Sequence, residues 1–487
     1  MNLKIELEKE EMRKKNIKEQ IQENNRIISL QNYLVGNKLV KPQFYGSKEN
    51  ILKLFEYFIK NSPTYIKEYD KLNNQQKKAF IFSNTADKYL LIQGFPGSGK
   101  STFINFLLRG FLIRKLKCLF ISRTNVAVDN ICLKLKKKNI NFIRIAPLNS
   151  ELVHPEIKKY VLDLHQFKTI EEYENHINNT NIFCTTTASI GHKIFQNIFF
   201  DYGIFDEVCQ TFEPELLGPL ILCDKFILVG DPYQLKAPIK SIPINEQVPT
   251  LFERLSSHYK NAFIKFTVQY RMNESISDLS SKCVYRGEMK CDEINKNSKL
   301  KIDFNSIKKH FKKNNKKCFI DFDIFKDILD PYKPVVFVEY SKLFNEDELK
   351  QSNCVNKIEI ELIKEILNMI KISKFNFDDI GIITPYSKQE QFLSKDLDKI
   401  GFKNVYTIDK SQGSEKEIII ISFVKTSFNN SIVNDLARVN VAFTRAKNKL
   451  IIFGVKDVLS KFDNINKYIK QMDEMNSIYD LKEKRFI

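Results

Sequence analysis

The sequence predicts an α/β fold of two tandem domains, each built on a mostly parallel sheet, preceded by a short helical N-terminal segment. Three observations predict it. Continuous apolar runs of strand length alternate with helix-like segments along most of the 487 residues. One of those runs enters a glycine-rich loop that leaves into a helix. No second loop of that kind appears in the later half, although the strand–helix alternation continues there.

Taken in order, residues 1–25 mix both charge signs around Leu3, Ile5, Leu7, Met12, Ile17 and Ile21, which reads as an amphipathic helix. Residues 26–70, punctuated by Gly36, Pro42, Gly46 and Pro63, have room for only a reduced accessory element. The run Tyr89–Ile92 then enters Gly94-Phe95-Pro96-Gly97-Ser98-Gly99-Lys100-Ser101-Thr102, and a helical stretch follows from Phe103. This G-x-x-x-x-G-K-S pattern in a strand–loop–helix context is a phosphate-binding loop. Its backbone N–H groups and the helix start attract phosphate. Lys100 would reach the terminal phosphates, and the Ser101 hydroxyl would ligate Mg²⁺.

Such a loop needs a carboxylate on a neighbouring strand. The run ending in Phe205-Asp206-Glu207 supplies one roughly a hundred residues later. Asp206 would hold Mg²⁺ and Glu207 would polarise the attacking water as general base. A third run, Phe226–Gly230, ends at Asp231-Pro232-Tyr233-Gln234, where Gln234 suits a γ-phosphate sensor. Second-half strands are expected near 262–271, 380–384, 405–408, 417–424 and 450–454. With no second phosphate loop, the pattern implies one nucleotide site served by two α/β layers. Arginine is scarce, yet Arg271, Arg438 and Arg445 sit at the tips of second-half elements. The guanidinium fork suits phosphate in a way lysine does not.

Composition narrows the class. There are 77 Lys+Arg against 59 Asp+Glu, a net charge of +18. That excess points to an anionic partner, usually nucleic acid. However, 65 of the 77 are lysines, a bias shared with Asn and Ile, so many are solvated surface. No apolar run approaches the ~20 residues of a membrane span, and Met1–Glu8 carries no secretory h-region. The nine cysteines contain no C-x-x-C pair and read as reduced thiols in the nucleus or cytoplasm. The lysine-rich stretch 308–317 reads as an exposed loop on an insertion over 285–333.

In motif order and content the chain resembles superfamily 1 helicases. Leu72-Asn73-Asn74-Gln75-Gln76 looks like the Q motif, Gly94–Ser101 like motif I and Asp206-Glu207 like motif II. Gly230–Leu235 looks like motif III and Gln269–Met272 like motif IV. Gln412–Lys416 looks like motif V and Val441–Lys447 like motif VI. Within the superfamily it resembles the 5′→3′ branch, which holds the nonsense-decay RNA helicase and the Okazaki-flap nuclease–helicase. Ala127–Asn130, Val153–Ile157, Leu217–Leu220 and Thr407–Gly413 bring it closest to the helicase half of the latter.

The resemblance implies two RecA-like P-loop NTPase domains, 71–258 and 259–470, with 1–70 in front and 471–487 as a tail. It implies that Gln76 reads adenine and Tyr270 stacks on the base. Gln234, Arg271 and Arg445 would contact the γ-phosphate, with Gly413 and Glu415 near the γ-phosphate and ribose. Thr124, Asn125, Pro385, Tyr386 and Thr407 would line the single-strand track. The cofactors implied are ATP and Mg²⁺. The relatives' nuclease domain and its four-cysteine iron–sulfur cluster are not expected on this chain, because no cysteine precedes Cys118. Val208-Cys209 replaces the family's usual Ala-Ser, and Asn125 stands where His is common.

The expected function is therefore an ATP-dependent 5′→3′ DNA helicase or translocase in nuclear replication or repair. It would be a monomeric motor on single-stranded DNA, working with other replication or repair proteins and with no membrane. The alternatives are an RNA helicase of the nonsense-decay type, which could act in the cytoplasm, and an ATP-gated nucleic-acid clamp.

Overall fold

A computed structural model describes residues 47–147, 151–237, 249–258, 262–311, 319–349, 354–428 and 432–486. The charged helix expected over 1–25, and Gly36, Pro42 and Gly46, lie outside the described residues. The described residues divide into two compact units. The first runs to Gly94 and takes in Lys100–Pro232 and Lys236–Phe266. The second comprises Phe95–Gly99, Tyr233–Leu235 and the residues from Thr267 onward.

The first unit holds a seven-stranded sheet of β1 (Tyr89–Gly94), β2 (Cys118–Ser122), β3 (Ile143–Ile145), β4 (Ile182–Thr186), β5 (Phe200–Asp206), β6 (Cys223–Gly230) and β7 (Phe263–Phe266). Their order is β3-β4-β2-β5-β6-β1-β7, and every pairing is parallel. The unbroken apolar runs follow from burial on both faces. On β1, Leu90 and Ile92 enter one hydrophobic cluster while Tyr89 and Leu91 enter another.

In two respects the sheet departs from what the sequence suggests. The strand carrying Asp206 is not next to β1, because β6 lies between them. The run after Ala262 closes the first sheet through β7, with Leu91 paired to Phe263, and does not open the second.

Residues Lys48–Asn61 and Pro63–Asp70 are two helices. Ser47 caps the first by accepting the Asn50 N–H, and Pro63 opens the second, where its missing N–H costs nothing. Phe58 and Tyr65 pack on Phe80 of the helix Asn74–Thr85. The Tyr65 ring stacks at 4.3 Å on Phe106 of Lys100–Ile113, the helix that leaves the phosphate loop. The described part of the expected accessory segment is therefore helical and braces that helix.

The second unit holds β8 (Val268–Gln269) paired to β9 (Lys290–Cys291). It also holds a second seven-stranded sheet: β10 (Val335–Glu339), β11 (Ile380–Thr384), β12 (Val405–Thr407), β13 (Lys416–Ser422), β14 (Ala446–Gly454), β15 (Ile478–Asp480) and β16 (Arg485–Phe486). The order is β12-β11-β13-β14-β10-β15-β16, parallel except for β15–β16. Again alternate residues enter opposite clusters, Val336 and Val338 against Val335 and Phe337. These are two tandem RecA-like α/β folds.

The expected tail, 471–487, ends in two strands of this sheet, because Ile478 and Tyr479 are buried beside β10. The expected insertion is not a loose loop throughout. Its helices Phe304–Phe311 and Phe322–Ile328 send Ile307, Ile324, Phe325 and Ile328 into the core. Residues 312–317 of the lysine-rich stretch lie outside the described residues. Among the described residues no helix is long and apolar enough to cross a membrane.

Candidate nucleotide and nucleic-acid sites

β1 ends at Gly94, and the helix that follows starts at Lys100. Between them Gly97 and Gly99 have φ of +72° and +82°, the left-handed region where a side chain is strained. A Cβ on Gly97 would also lie 2.7 Å from the Cβ of Arg271, so the position demands glycine twice over. Lys100 Nζ donates to the Gly94 carbonyl at 2.7 Å, which folds its ammonium back over the loop.

In the same unit β5 ends at Asp206, whose carboxylate accepts the Glu207 N–H at 2.9 Å. Glu207 is left-handed, at φ +54°. Its carboxylate is held by Gln210 Nε2 at 2.9 Å. Burial first, and then the neighbouring Glu207 carboxylate, push the Asp206 carboxyl up to about 7, against the pull of Lys100. Two adjacent acids in a buried strand end favour a cation beside them.

Among the described residues no cluster of three or more His, Cys, Asp or Glu could cage a metal alone. A magnesium ion held by Ser101 and Asp206, with phosphate and water completing its shell, fits this donor set. Thr102 sits one residue further along the helix, where its Oγ1 accepts from Lys134 at 3.3 Å.

Gln76 is buried at the start of its helix, where it forms a capping box with Asn73. Its side-chain oxygen accepts the Asn73 N–H at 3.3 Å, so the oxygen is engaged locally. Pro96 and Ser98 lie in the loop, and Gln234 is buried in the short segment after β6.

The second unit gathers Arg271, Glu415, Arg445 and Lys447. Arg271 Nε donates to Glu415 at 2.6 Å and its Nη1 to the Thr444 carbonyl at 3.1 Å. Arg445, which is buried, donates to the Val441 carbonyl at 2.9 Å and to Thr444 Oγ1 at 3.1 Å. Burial raises the Glu415 carboxyl, but Arg271 and Lys447 outweigh it and hold the group below its ordinary range. Tyr270 donates its N–H to the Gly97 carbonyl at 2.8 Å and keeps an exposed ring. Gly413 lies two residues before Glu415, with open space where a Cβ would stand. Arg438, grouped with these arginines from its position in the sequence, is instead bound by Asp409 and Asp435 at the start of its own helix.

Of the expected single-strand contacts, Thr124 caps the helix Asn125–Lys137 after β2. The Asn125 side-chain oxygen accepts from buried Arg144 at 2.6 Å, and Arg144 pairs with Asp129 at 3.0 Å. Asn125 is therefore turned partly inward, in place of the family's histidine. In the second unit Thr384 pairs with Thr407 across β11 and β12, which brings Pro385 and Tyr386 beside Thr407 at the strands' carboxyl ends. Sequence reasoning did not single out Gln210, Thr444, Lys425 or Glu359. Of these, Thr444 lies inside the Val441–Lys447 motif and Glu359 in an Asn356-x-x-Glu359 helix-start pattern.

Comparison with known proteins bears on the family. Two AAA-domain family models match the chain, one over residues 71–174 and 163–242 and the other over residues 248–457. The DNA replication ATP-dependent helicase/nuclease DNA2 of Xenopus laevis is 34% identical over 430 residues, covering 85% of this chain and 40% of that protein. Its Homo sapiens counterpart is 32% identical over 434 residues (84% and 39%), and JHS1 of Arabidopsis thaliana is 32% identical over 426 residues (86% and 31%). The chain thus spans less than half the length of the curated relatives it matches. A solved complex of Arterivirus nonstructural protein 10 (helicase) with DNA aligns at a TM-score of 0.41 and 18% identity, covering 80% of this chain and 64% of that one. On its ordered motifs, its two RecA-like sheets and its likeness to these helicase/nucleases, the chain belongs to the superfamily 1 helicases.

Proposed function

We propose that this chain is an ATP-dependent DNA helicase or translocase that moves 5′→3′ along single-stranded DNA in replication or repair. The observation that carries the reading is the carboxyl edge of the first sheet, where Lys100 at a helix start acts on buried Asp206 and its half-buried neighbour Glu207. ATP with Mg²⁺ supplies the phosphoanhydride that is cleaved. Lys100 neutralises phosphate charge, Ser101 and Asp206 hold the metal, and Glu207, fixed by Gln210, takes a proton from water. Arg271 and Arg445 supply guanidinium donors to the γ-phosphate, and Gln234 senses its presence. Gln76 and Tyr270 hold the adenine, with Gly413 and Glu415 at the γ-phosphate and ribose. The Arg271–Glu415 ion pair is one that an incoming phosphate can replace.

Thr124, Asn125, Pro385, Tyr386 and Thr407 hold the strand, mainly by its backbone, which suits movement without regard to sequence. The choice of DNA and of replication or repair rests on the relatives, which are named as DNA replication helicase/nucleases. The same reading makes the chain a monomeric motor in the nucleus.

The test is ATP turnover with and without single-stranded DNA or RNA, in wild type and Lys100→Ala. DNA should stimulate turnover more than RNA does. Lys100→Ala should lose at least about a hundredfold in turnover while still binding single strands. Turnover indifferent to DNA, or undiminished in Lys100→Ala, sinks the reading.

A further inference from the structure

Val424, just beyond β13, has φ of +72°. That left-handed conformation is a genuine outlier for a β-branched residue, and such strain persists only where the surroundings impose it. Here both backbone groups of Val424 are gripped. The two oxygens of the Glu359 carboxylate accept its N–H at 3.1 and 3.2 Å, and Asn356 Nδ2 donates to its carbonyl at 3.1 Å.

A wider network stands behind the grip. Tyr340 Oη donates to Glu359 at 2.9 Å, Ser422 Oγ donates to the same carboxylate, and Asn356 Nδ2 reaches Tyr340 Oη at 2.8 Å. Gln389 Nε2 donates to Ser422 Oγ at 3.0 Å and to the Asn356 carbonyl at 3.2 Å, and Gln389 Oε1 accepts the Asn356 N–H at 2.9 Å. Tyr340, Asn356, Glu359, Gln389 and Ser422 are all fully buried. A buried polar cluster of this size is costly unless its geometry is needed. If the fold required only a left-handed turn at this point, glycine would supply it alone.

The network reaches the single-strand track from two sides. Gln389 lies on Ser387–Asp398, the helix that starts directly after Tyr386. Lys425 follows Val424, and its buried Nζ stands 5.4 Å from the centre of the Tyr386 ring. An ammonium at that distance is attracted to the ring face and restrains it.

We propose that Glu359, Asn356 and Lys425 are positioning residues for nucleic-acid binding: the Glu359–Asn356 clamp holds Val424 left-handed, and Lys425 thereby keeps the Tyr386 ring set to stack on a base of the bound single strand. The proposal rests on the reading of Tyr386 as a nucleic-acid contact. Burying a carboxylate for this purpose lifts the Glu359 carboxyl to about 7 despite its donors, which is in keeping with a group retained for geometry.

Binding of a fluorescent oligothymidylate decides it, measured on wild type, Tyr386→Ala, Lys425→Met, Glu359→Gln and Glu359→Gln combined with Val424→Gly. Each single variant should bind about tenfold more weakly, the scale of one lost stacking contact. The double variant should regain most of the loss of Glu359→Gln, because glycine adopts the left-handed turn unaided; a residue that merely stabilises the fold gives no such rescue. Lys425→Met leaves the buried network intact, so it decides the matter even where Glu359→Gln folds poorly. Wild-type affinity in Lys425→Met beside weakened Tyr386→Ala, or a double variant as weak as Glu359→Gln, overturns the proposal alone. Wild-type affinity in Tyr386→Ala overturns the reading of that residue and the proposal with it.

Discussion

Lys449, in the middle of β14, has no counterpart in the nucleotide chemistry but shows how a buried charge is accommodated. Its side chain is fully buried, and Nζ donates to the carbonyls of Asp330, at 3.1 Å, and of Lys333. Burial pulls the ammonium down to about 7, with the Asp330 carboxylate opposing and Lys333 adding to the shift. The unfolded chain titrates near 10.5 at this residue. Between about pH 7 and 10.5 it therefore binds more protons than the folded chain, so stability rises with pH through that window and the full cost applies below it. Lys449→Met should flatten the rise, as read from denaturation midpoints across the window. An equally steep rise in the variant would contradict the assignment.

At this scale the sequence exposes residues whose chemistry needs a local pattern. Lys100 and Ser101 were legible because a phosphate loop is one continuous segment, and Asp206-Glu207 because they end an apolar run. Glu359 was not legible. Its Asn356-x-x-Glu359 spacing reads as an ordinary helix cap, whereas its carboxylate serves Tyr340, Ser422 and Val424, which come from two other segments. Arg438 misled for the same reason, since its partner Asp409 is remote in sequence.

Elements were legible where burial on two faces makes a strand uniformly apolar, as in β1, β11 and β13. They were less so at sheet edges. The run 262–271 contains both β7 and β8, which belong to different sheets, and nothing in its composition marks the change. Short β15 and β16 fell in a charged stretch and read as tail. The helices Lys48–Asn61 and Pro63–Asp70 show what an element does for the site at a distance. Tyr65 Oη donates to the Phe106 carbonyl at 2.9 Å, and a Cβ on Gly110 would lie 2.2 Å from that oxygen. Gly110→Ala should therefore push Pro63–Asp70 off the helix behind the phosphate loop and cost about 1–3 kcal/mol, the range of overpacked cores. Urea denaturation checks this, and an unchanged midpoint would show that the tyrosine moves aside freely.

At the scale of the whole molecule, the net charge of +18 pointed only weakly to nucleic acid, because most of it is lysine. The more telling cations are few and placed by the fold: Lys100 in the first unit, and Arg271, Arg445 and Lys447 around Glu415 in the second. On the proposed reading, one nucleotide at the phosphate loop Gly94–Ser101 serves the chain. The central claim is that this nucleotide drives movement along DNA in one direction, and the most direct measurement is strand displacement from DNA duplexes bearing a single-stranded tail at either the 5′ or the 3′ end. A 5′→3′ motor gives ATP-dependent displacement from the 5′-tailed duplex and little from the 3′-tailed one. Displacement from the 3′-tailed duplex alone, or ATP hydrolysis with no displacement from either, would contradict it.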